Sequence, residues 1–449
     1  MPTSLVIAKK ARSGNTLVNF KLCKAYDFLL WSLLTLLISF LTIGNRKLRI
    51  GAALTETLDK LIEASPQEKE ARGTLYTPRE IAQQPVSWQR TFTGFEQQRT
   101  PMREFLESSG FEGRRSSSLV VYLVGAGTSD YTGRALTYLL RRLWGCDVWA
   151  VPSTELLTSL EDFVLPNRNY LWISFSRSGD SSEGVALLET AFQEYPSIRH
   201  LLVTCNKKGR MAQLCAENPS RSFVFALDDS VNDKGVAMTS SYTNMVIAGQ
   251  CLAHIESLSS YLETLDTLSN AGAKFLNYFQ ASASALVRSV FAKACFVGSG
   301  VLHAAAQESA LKVLELTAGK IQTMSESTLG LRHGPMSALD EETLLVSFVS
   351  SDQRRRRYER DLLTEITRKK LVKRRVLISA DSDDDLQGLG DEIFCLSAPG
   401  LRDEYRPPVD VMLAQFLGLF SSLKLGLKPD SPSPNGAISR VVSHISIYK

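Results

Sequence analysis

Short, uniformly apolar runs recur along the chain from residue 119. Each is followed by a glycine- or serine-rich turn and then a helical pattern. The first set is LVVYLVG (Leu119–Gly125), VWAVPS, LWISFS, HLLVTC and FVFAL. A mostly helical zone from Met238 to about Val290 separates it from a second set, ACFVG, TLLVSFV, RRVLIS and EIFCLS. Runs this short and this continuously apolar predict strands buried on both faces. Strands alternating with helices predict parallel α/β sheets. Glycine turns at Gly125–Ser129 and Gly298–Gly300 take matching places, so the chain reads as two copies of one α/β unit, residues 117–275 and 276–428. Residues 51–116 read as a helical lead-in ending in a linker, Phe111 to Ser118. Residues 429–449 form a tail that begins rich in Pro, Ser, Asn and Gly.

The first fifty residues differ from the rest. Phe28 to Ile43 carries no charge and is flanked by Lys and Arg on both sides. Its length is borderline for a membrane span. Three readings stay open: an anchor helix, a translated extension outside the working protein, and a buried or partner-binding helix. Membrane contact is expected only under the first. Charge sharpens the contrast. Residues 1–50 hold eight Lys/Arg against Asp27 alone, whereas the whole chain carries a net charge of only +4, so the remainder is slightly acidic. No basic excess is left to suggest nucleic acid. Seven cysteines are scattered without metal-type spacing, and Cys205 and Cys295 sit inside apolar runs. That pattern predicts a reducing, cytoplasmic setting and no structural zinc.

Chemistry concentrates in two places. In the helical pattern after Gly300, Glu308, Lys312 and Glu315 fall at i, i+4 and i+7, on one face. The remaining positions are mostly Ala, Leu and Val. A helix apolar nearly all round is buried, so this stripe is expected to face a cavity rather than bulk water. Downstream, Arg332-His333-Gly334-Pro335 places one of five histidines in a turn. The second place is Ser176-Arg177-Ser178-Gly179-Asp180-Ser181-Ser182, between a strand end and a helix start. Hydroxyls and backbone N–H groups at a helix N-terminus predict an anion site. A phosphate-loop lysine is missing, and Asp130 stands where G-x-G-x-x-G needs its third glycine, so neither nucleotide motif is present. Gly235 to Thr243 is a hydroxyl-rich entry to a further helix.

Taken together, V-G-A-G-T-S, S-F-S-R-S-G-D-S, D-K-G-V-A-M-T-S-S-Y-T, G-S-G, E-S-A-L-K-V-L-E-L-T and R-H-G-P resemble the sugar isomerase (SIS) domain, present twice over roughly residues 90–449. The chain is similar to the isomerase half of glucosamine-6-phosphate synthase. It is closer to the galactosamine-6-phosphate deaminase/tagatose-6-phosphate ketose-aldose isomerase family, through L-V-T-C-N, G-L-R-H-G-P and the tail L-G-L-K-P-D-S-P-S-P-N-G. The implied fold is two tandem flavodoxin-like parallel-sheet domains flanked by helices, plus a helical N-terminal extension.

The resemblance implies roles by position. Thr128, Ser129, Ser176, Arg177, Ser178 and Ser181 match phosphate-holding loops, and Gly127 and Val236 match backbone contacts to the sugar. Glu308 and Lys312 match residues around the reacting carbons. Glu315 matches the base that moves the proton between C2 and C1, and His333 the histidine that opens the ring. Arg440 falls where the synthase has a lysine over the active site. The implied activity is deamination of D-galactosamine 6-phosphate to tagatose 6-phosphate and ammonia, without metal or organic cofactor, in a homo-oligomer whose sites are shared between subunits. Plain aldose–ketose isomerisation is the rival enzyme reading. A sugar-phosphate sensor that binds without turnover is the rival outside enzymes, and an isolated base argues against it.

Overall fold

The computed structural model describes residues 56–448, apart from 290, 383, 443 and 444. The Phe28–Ile43 segment lies outside the described residues. Among those described, no helix is long and apolar enough to cross a membrane. Helices come first: Leu58–Glu63, Pro66–Arg72, α1 (Thr77–Ala82) and the long α2 (Gln84–Ser108). The expected linker holds only a short 3₁₀ turn, Gly113–Arg115.

The first sheet consists of β1 (Leu119–Gly125), β2 (Asp147–Pro152), β3 (Asn169–Ser176), β4 (Arg199–Thr204) and β5 (Ser222–Ala226), all parallel, in the order β2-β1-β3-β4-β5. Helix α3 (Thr128–Trp144) follows β1, α4 (Ser182–Glu194) follows β3, and α5 (Ser240–Ala253) leads out of the sheet. The second sheet consists of β6 (Lys293–Gly298), β7 (Gln322–Ser327), β8 (Thr343–Val349), β9 (Arg374–Ser379) and β10 (Glu392–Cys395), again parallel. Its order, β7-β6-β8-β9-β10, repeats that of the first sheet strand for strand. Helix α6 (Val301–Leu316) follows β6, α7 (Gln353–Lys369) follows β8, and α8 (Met412–Lys424) closes the fold. The two tandem SIS units expected from the sequence are therefore present.

The matching glycine turns have a steric cause. Gly127 (φ 56°, ψ −123°) and Gly300 (φ 60°, ψ −126°) adopt the same backbone conformation, which side-chain-bearing residues rarely reach. A Cβ on Gly125 or Gly298 would lie 2.4 Å from the first turn of the following helix. The glycines thus let each helix start directly against its strand end.

One apolar core joins the sheets. It runs from Leu123 and Ile173 through Val246 of α5 and Leu417 of α8 to Phe296 and Val346. Every residue of α5 is buried, as a helix between layers requires. Smaller clusters around Trp172 and Leu345 cover the outer faces. Helices α3 and α6 pack on each other and on α5 and α8 respectively, so the two helices that follow the glycine turns meet at the centre.

Two local differences from the sequence reading have physical causes. The basic run from Arg354 to Lys373 reads in the sequence as one helix, but α7 ends at Lys369, because Lys370 takes a left-handed conformation (φ 53°) that caps it. Strand β7, QTMSES, has no apolar signature: it lies at one edge of its sheet and none of its residues is fully buried.

Candidate active site

The α6 stripe is buried against the other unit. Glu308 and Lys312 have fully buried side chains and Glu315 is 23% exposed. The Lys312 ammonium donates to Glu315 at 2.6 Å and to the Thr128 hydroxyl at 2.9 Å, and lies 3.4 Å from Glu308. Thr128 is the first residue of α3, so the cluster bridges both SIS units. Two carboxylates share one cation here, and it sits closer to Glu315. Burial therefore pushes the Glu308 carboxyl up to about 8, with Lys312 pulling it down and Glu315 adding to the rise. Glu308 is accordingly protonated near neutrality, and its Oε2 has no partner among the described residues. Burial alone would depress Lys312, but the two carboxylates more than offset it and hold the ammonium charged.

Next to Thr128 the chain turns into a cavity of about 130 Å³. Ser129, Ser176, Arg177, Ser178 and Ser181 line it, and Arg440 covers it. The hydroxyls are poised to donate. Ser176 accepts the Gly179 N–H and Ser178 accepts the Asp180 N–H, which leaves each O–H available. Ser129 and Ser181 hydroxyls have no protein partner among the described residues. The N-terminal turn of α4 adds backbone donors at the same place. The lining omits Glu315 and Lys312; adjacent Thr128 and Ser129 connect the cluster to the cavity.

Arg177 is 6% exposed and fixes three carbonyls, donating to Gly235 and Val236 at 3.0 Å each and also to Arg440. Burial lowers its guanidinium from the usual range. Val236, matched to the sugar by resemblance, spends its carbonyl on Arg177 and its N–H on the Asp430 carbonyl, 3.0 Å. Gly127 sets the N-cap of α3. Arg440 donates to the Asp233 carbonyl at 2.7 Å and to Asn232. The Val442 carbonyl accepts from Ser182 at the start of α4, so the tail is tied over the serine loop.

His333 is not brought to this cluster within one chain. It is exposed, and its ring has no hydrogen-bond partner among the described residues. It follows β7, whose end pairs with that of β6 near the start of α6, whereas Glu315 is near the far end of that helix. Fourteen helical residues separate those ends by roughly 20 Å.

Three carboxylates around the loop beside Arg177 do not stand out in the sequence. Asp233 accepts from the backbone N–H groups of Thr239 and Ser241 and from the hydroxyls of Ser240 and Ser241. Asp430 accepts from the backbone N–H groups of Leu75, Tyr76 and Thr77. Glu80 of α1 accepts from Lys234 and Gly235. Burial, with Asp233 next, pushes the Glu80 carboxyl up to about 8. Asp233 and Asp430 stood inside the motifs, where only hydroxyls and glycines drew attention; nothing local marks Glu80. Among the described residues no group of His, Cys, Asp and Glu is placed to hold a metal ion.

Known proteins share this fold. The SIS domain family matches residues 292–418. The D-galactosamine-6-phosphate deaminase AgaS of Escherichia coli is 37% identical over 379 residues, 84% of this chain and 96% of that protein. The crystal structure of tagatose-6-phosphate ketose/aldose isomerase from Escherichia coli superposes with a TM-score of 0.74 at 34% identity, covering 83% of this chain and 96% of that one. A Clostridium novyi structure, described as a candidate tagatose-6-phosphate ketose/aldose isomerase, superposes with a TM-score of 0.80 at 31% identity, covering 85% and 96%. With two SIS units of one topology and this likeness over nearly the whole length of its relatives, the chain belongs to the AgaS-type D-galactosamine-6-phosphate deaminase family.

Proposed function

We propose that the chain deaminates D-galactosamine 6-phosphate to tagatose 6-phosphate and ammonia. The observation that carries this reading is the buried Glu308–Lys312–Glu315 cluster of one unit, bonded through Thr128 to the hydroxyl-lined cavity of the other. The phosphate sits in that cavity, taking hydrogen bonds from Ser129, Ser176, Ser178 and Ser181, with the charges of Arg177 and Arg440 beside it. The sugar extends past Thr128 toward Lys312.

The chemistry follows from the charges. Once the ring is open, Glu315 takes the C2 proton. Electron density moves to O1, where the Lys312 ammonium stabilises the developing oxyanion. Glu315 returns its proton to C1 as Lys312 gives one to O1, which leaves a C2 iminium. Water adds to C2, the carbinolamine expels ammonia, the proton set free returns to Lys312, and the ketose remains. Glu308, holding its proton, leaves the Lys312 ammonium to Glu315. Ring opening falls to His333. Because that residue is exposed and far from Glu315 in its own chain, it serves the site of a neighbouring copy, which makes a homo-oligomer the active species.

Plain aldose–ketose isomerisation is the second reading, favoured by the names of the structural relatives. It uses the same groups and differs only in whether nitrogen leaves C2. A coupled assay separates them. Galactosamine 6-phosphate should release one ammonia per ketose formed. Unphosphorylated galactosamine should be nearly inert. Ketose formation from galactose 6-phosphate at a higher kcat/KM, with no ammonia from the amino sugar, would establish the isomerase instead.

A further inference from the structure

The two units are related strand for strand, so each feature of the active site has a counterpart. Register fixes the correspondence. Val297 pairs with Ser347 as Val124 pairs with Ser174, so Arg177 and Ser178 correspond to Ser350 and Ser351. Counted from Gly127 and Gly300, the stripe Glu308, Lys312 and Glu315 corresponds to Ala135, Leu139 and Arg142 on α3. The counterpart of the active site should therefore lie where the Gly300 turn and the Ser350–Asp352 loop face Tyr138 and Arg142. A cavity of about 530 Å³ is lined by these elements.

In that cavity a carboxylate is bonded to the serine loop, whereas in the first the serine O–H groups stay free and the lining carboxylate, Glu183, lies on the helix after the loop. Asp403 accepts from the Ser351 backbone N–H and hydroxyl, 2.8 Å each, from the Ser350 hydroxyl, and from Arg355 at 3.2 Å. It is 2% exposed. Ser350 is locked on every side, its N–H donating to Glu359 and its carbonyl accepting from Arg356. The other charges are paired too: Arg142 and Arg402 both meet Glu404. Behind Asp403, buried Arg406 lies 3.5 Å away, and its Nε has no partner among the described residues.

We propose that this cavity is the second unit's phosphate seat, filled from within by the Asp403 carboxylate, and that removing Asp403 reopens a site for a phosphate monoester or inorganic phosphate. The carboxylate takes the donors a phosphate would take: hydroxyls, a loop N–H and a guanidinium. Its own charge repels an incoming dianion. The facing stripe, Ala135, Leu139 and Arg142, carries no carboxylate and no ammonium, and Arg142 is held by Glu404, so phosphate bound there would not be turned over. Each unit thus keeps one half of the machinery, anion seat in the first and proton-transfer helix in the second. The proposal uses the reading of the first cavity as a phosphate seat, but its test is independent of turnover.

The test is phosphate binding by the full chain, wild type against Asp403→Ala and Asp403→Asn. Titration calorimetry with inorganic phosphate should show one more bound phosphate per chain in Asp403→Ala than in wild type. Thermal unfolding in chloride should be lower for that variant, and phosphate at matched ionic strength should restore several degrees more than it adds to wild type. If Asp403→Ala does not fold in chloride, the near-isosteric Asp403→Asn decides, and it should show the same excess phosphate response. Neither variant exceeding the wild-type response, or wild type already holding a second phosphate that the variants leave unchanged, overturns the proposal. Failure of wild type to bind galactosamine 6-phosphate would instead count against the proposed substrate, since the comparison here uses inorganic phosphate.

Discussion

Replacing Glu308 by glutamine isolates the charge state of the buried cluster. The side chain is fully buried, 3.4 Å from an ammonium that is closer to Glu315, and its carboxyl is pushed from an ordinary 4.5 up to about 8. A carboxyl whose folded value exceeds its unfolded value binds its proton more tightly when folded. Folding is therefore penalised once pH passes the unfolded value, and the penalty grows until pH passes the folded one. The growth is about 1.4 kcal/mol per pH unit inside that window, tapering near its upper end. Between about pH 6 and about pH 8 the wild type should lose on the order of 2 kcal/mol from this group alone. Glutamine has the same shape and no proton to lose, so Glu308→Gln should gain that amount on wild type over the same range. Urea unfolding of both proteins at several pH values reads the difference, and groups common to both cancel. A stability difference that stays flat from pH 6 to pH 8 would show that Glu308 is ionised and that Lys312 neutralises both carboxylates.

Ser178→Ala with Ser181→Ala removes two donors from the phosphate cavity and should raise KM on the order of 100-fold, at about 1.4 kcal/mol per tenfold, with kcat changed much less; steady-state ammonia release checks it. Glu80→Ala frees the Lys234 and Gly235 N–H groups and loosens the carbonyls that hold Arg177. It should raise KM about tenfold, and Glu80→Gln, which keeps an acceptor, should recover most of the loss. A chain beginning at residue 51 should fold and turn over at the wild-type rate, because 96% of the Escherichia coli deaminase is matched by 84% of this chain; gel filtration and the same assay decide it.

The strands were legible because parallel strands buried on both faces must be apolar throughout, as all seven residues of β1 are. The glycine turns were legible because their backbone excludes other residues. Strand β7 was not, since none of its positions is fully buried and its residues are mostly polar. At the site, Glu308, Lys312 and Glu315 could be read from helical spacing alone. Their bond to Thr128 could not, because it joins residues 184 positions apart across two units. Glu80 and Asp430 were hidden for the same reason: each acts on backbone N–H groups distant in sequence. Asp403 is an ordinary acidic residue until the second serine loop closes on it. His333 was legible only by resemblance, and its exposure shows that one chain does not by itself bring every matched residue together.

In the proposed mechanism Glu315 moves a proton from C2 to C1 of a sugar whose phosphate lies in the other unit. Turnover of galactosamine 6-phosphate in deuterated water, followed by NMR, tests it. Wild type should place solvent deuterium at C1 of the ketose and exchange the C2 hydrogen of recovered substrate. Glu315→Gln should bind substrate normally, as calorimetry can verify, yet show neither exchange nor ammonia. Exchange in Glu315→Gln at the wild-type rate would contradict the account and move the base elsewhere, with Glu308 the first residue to replace.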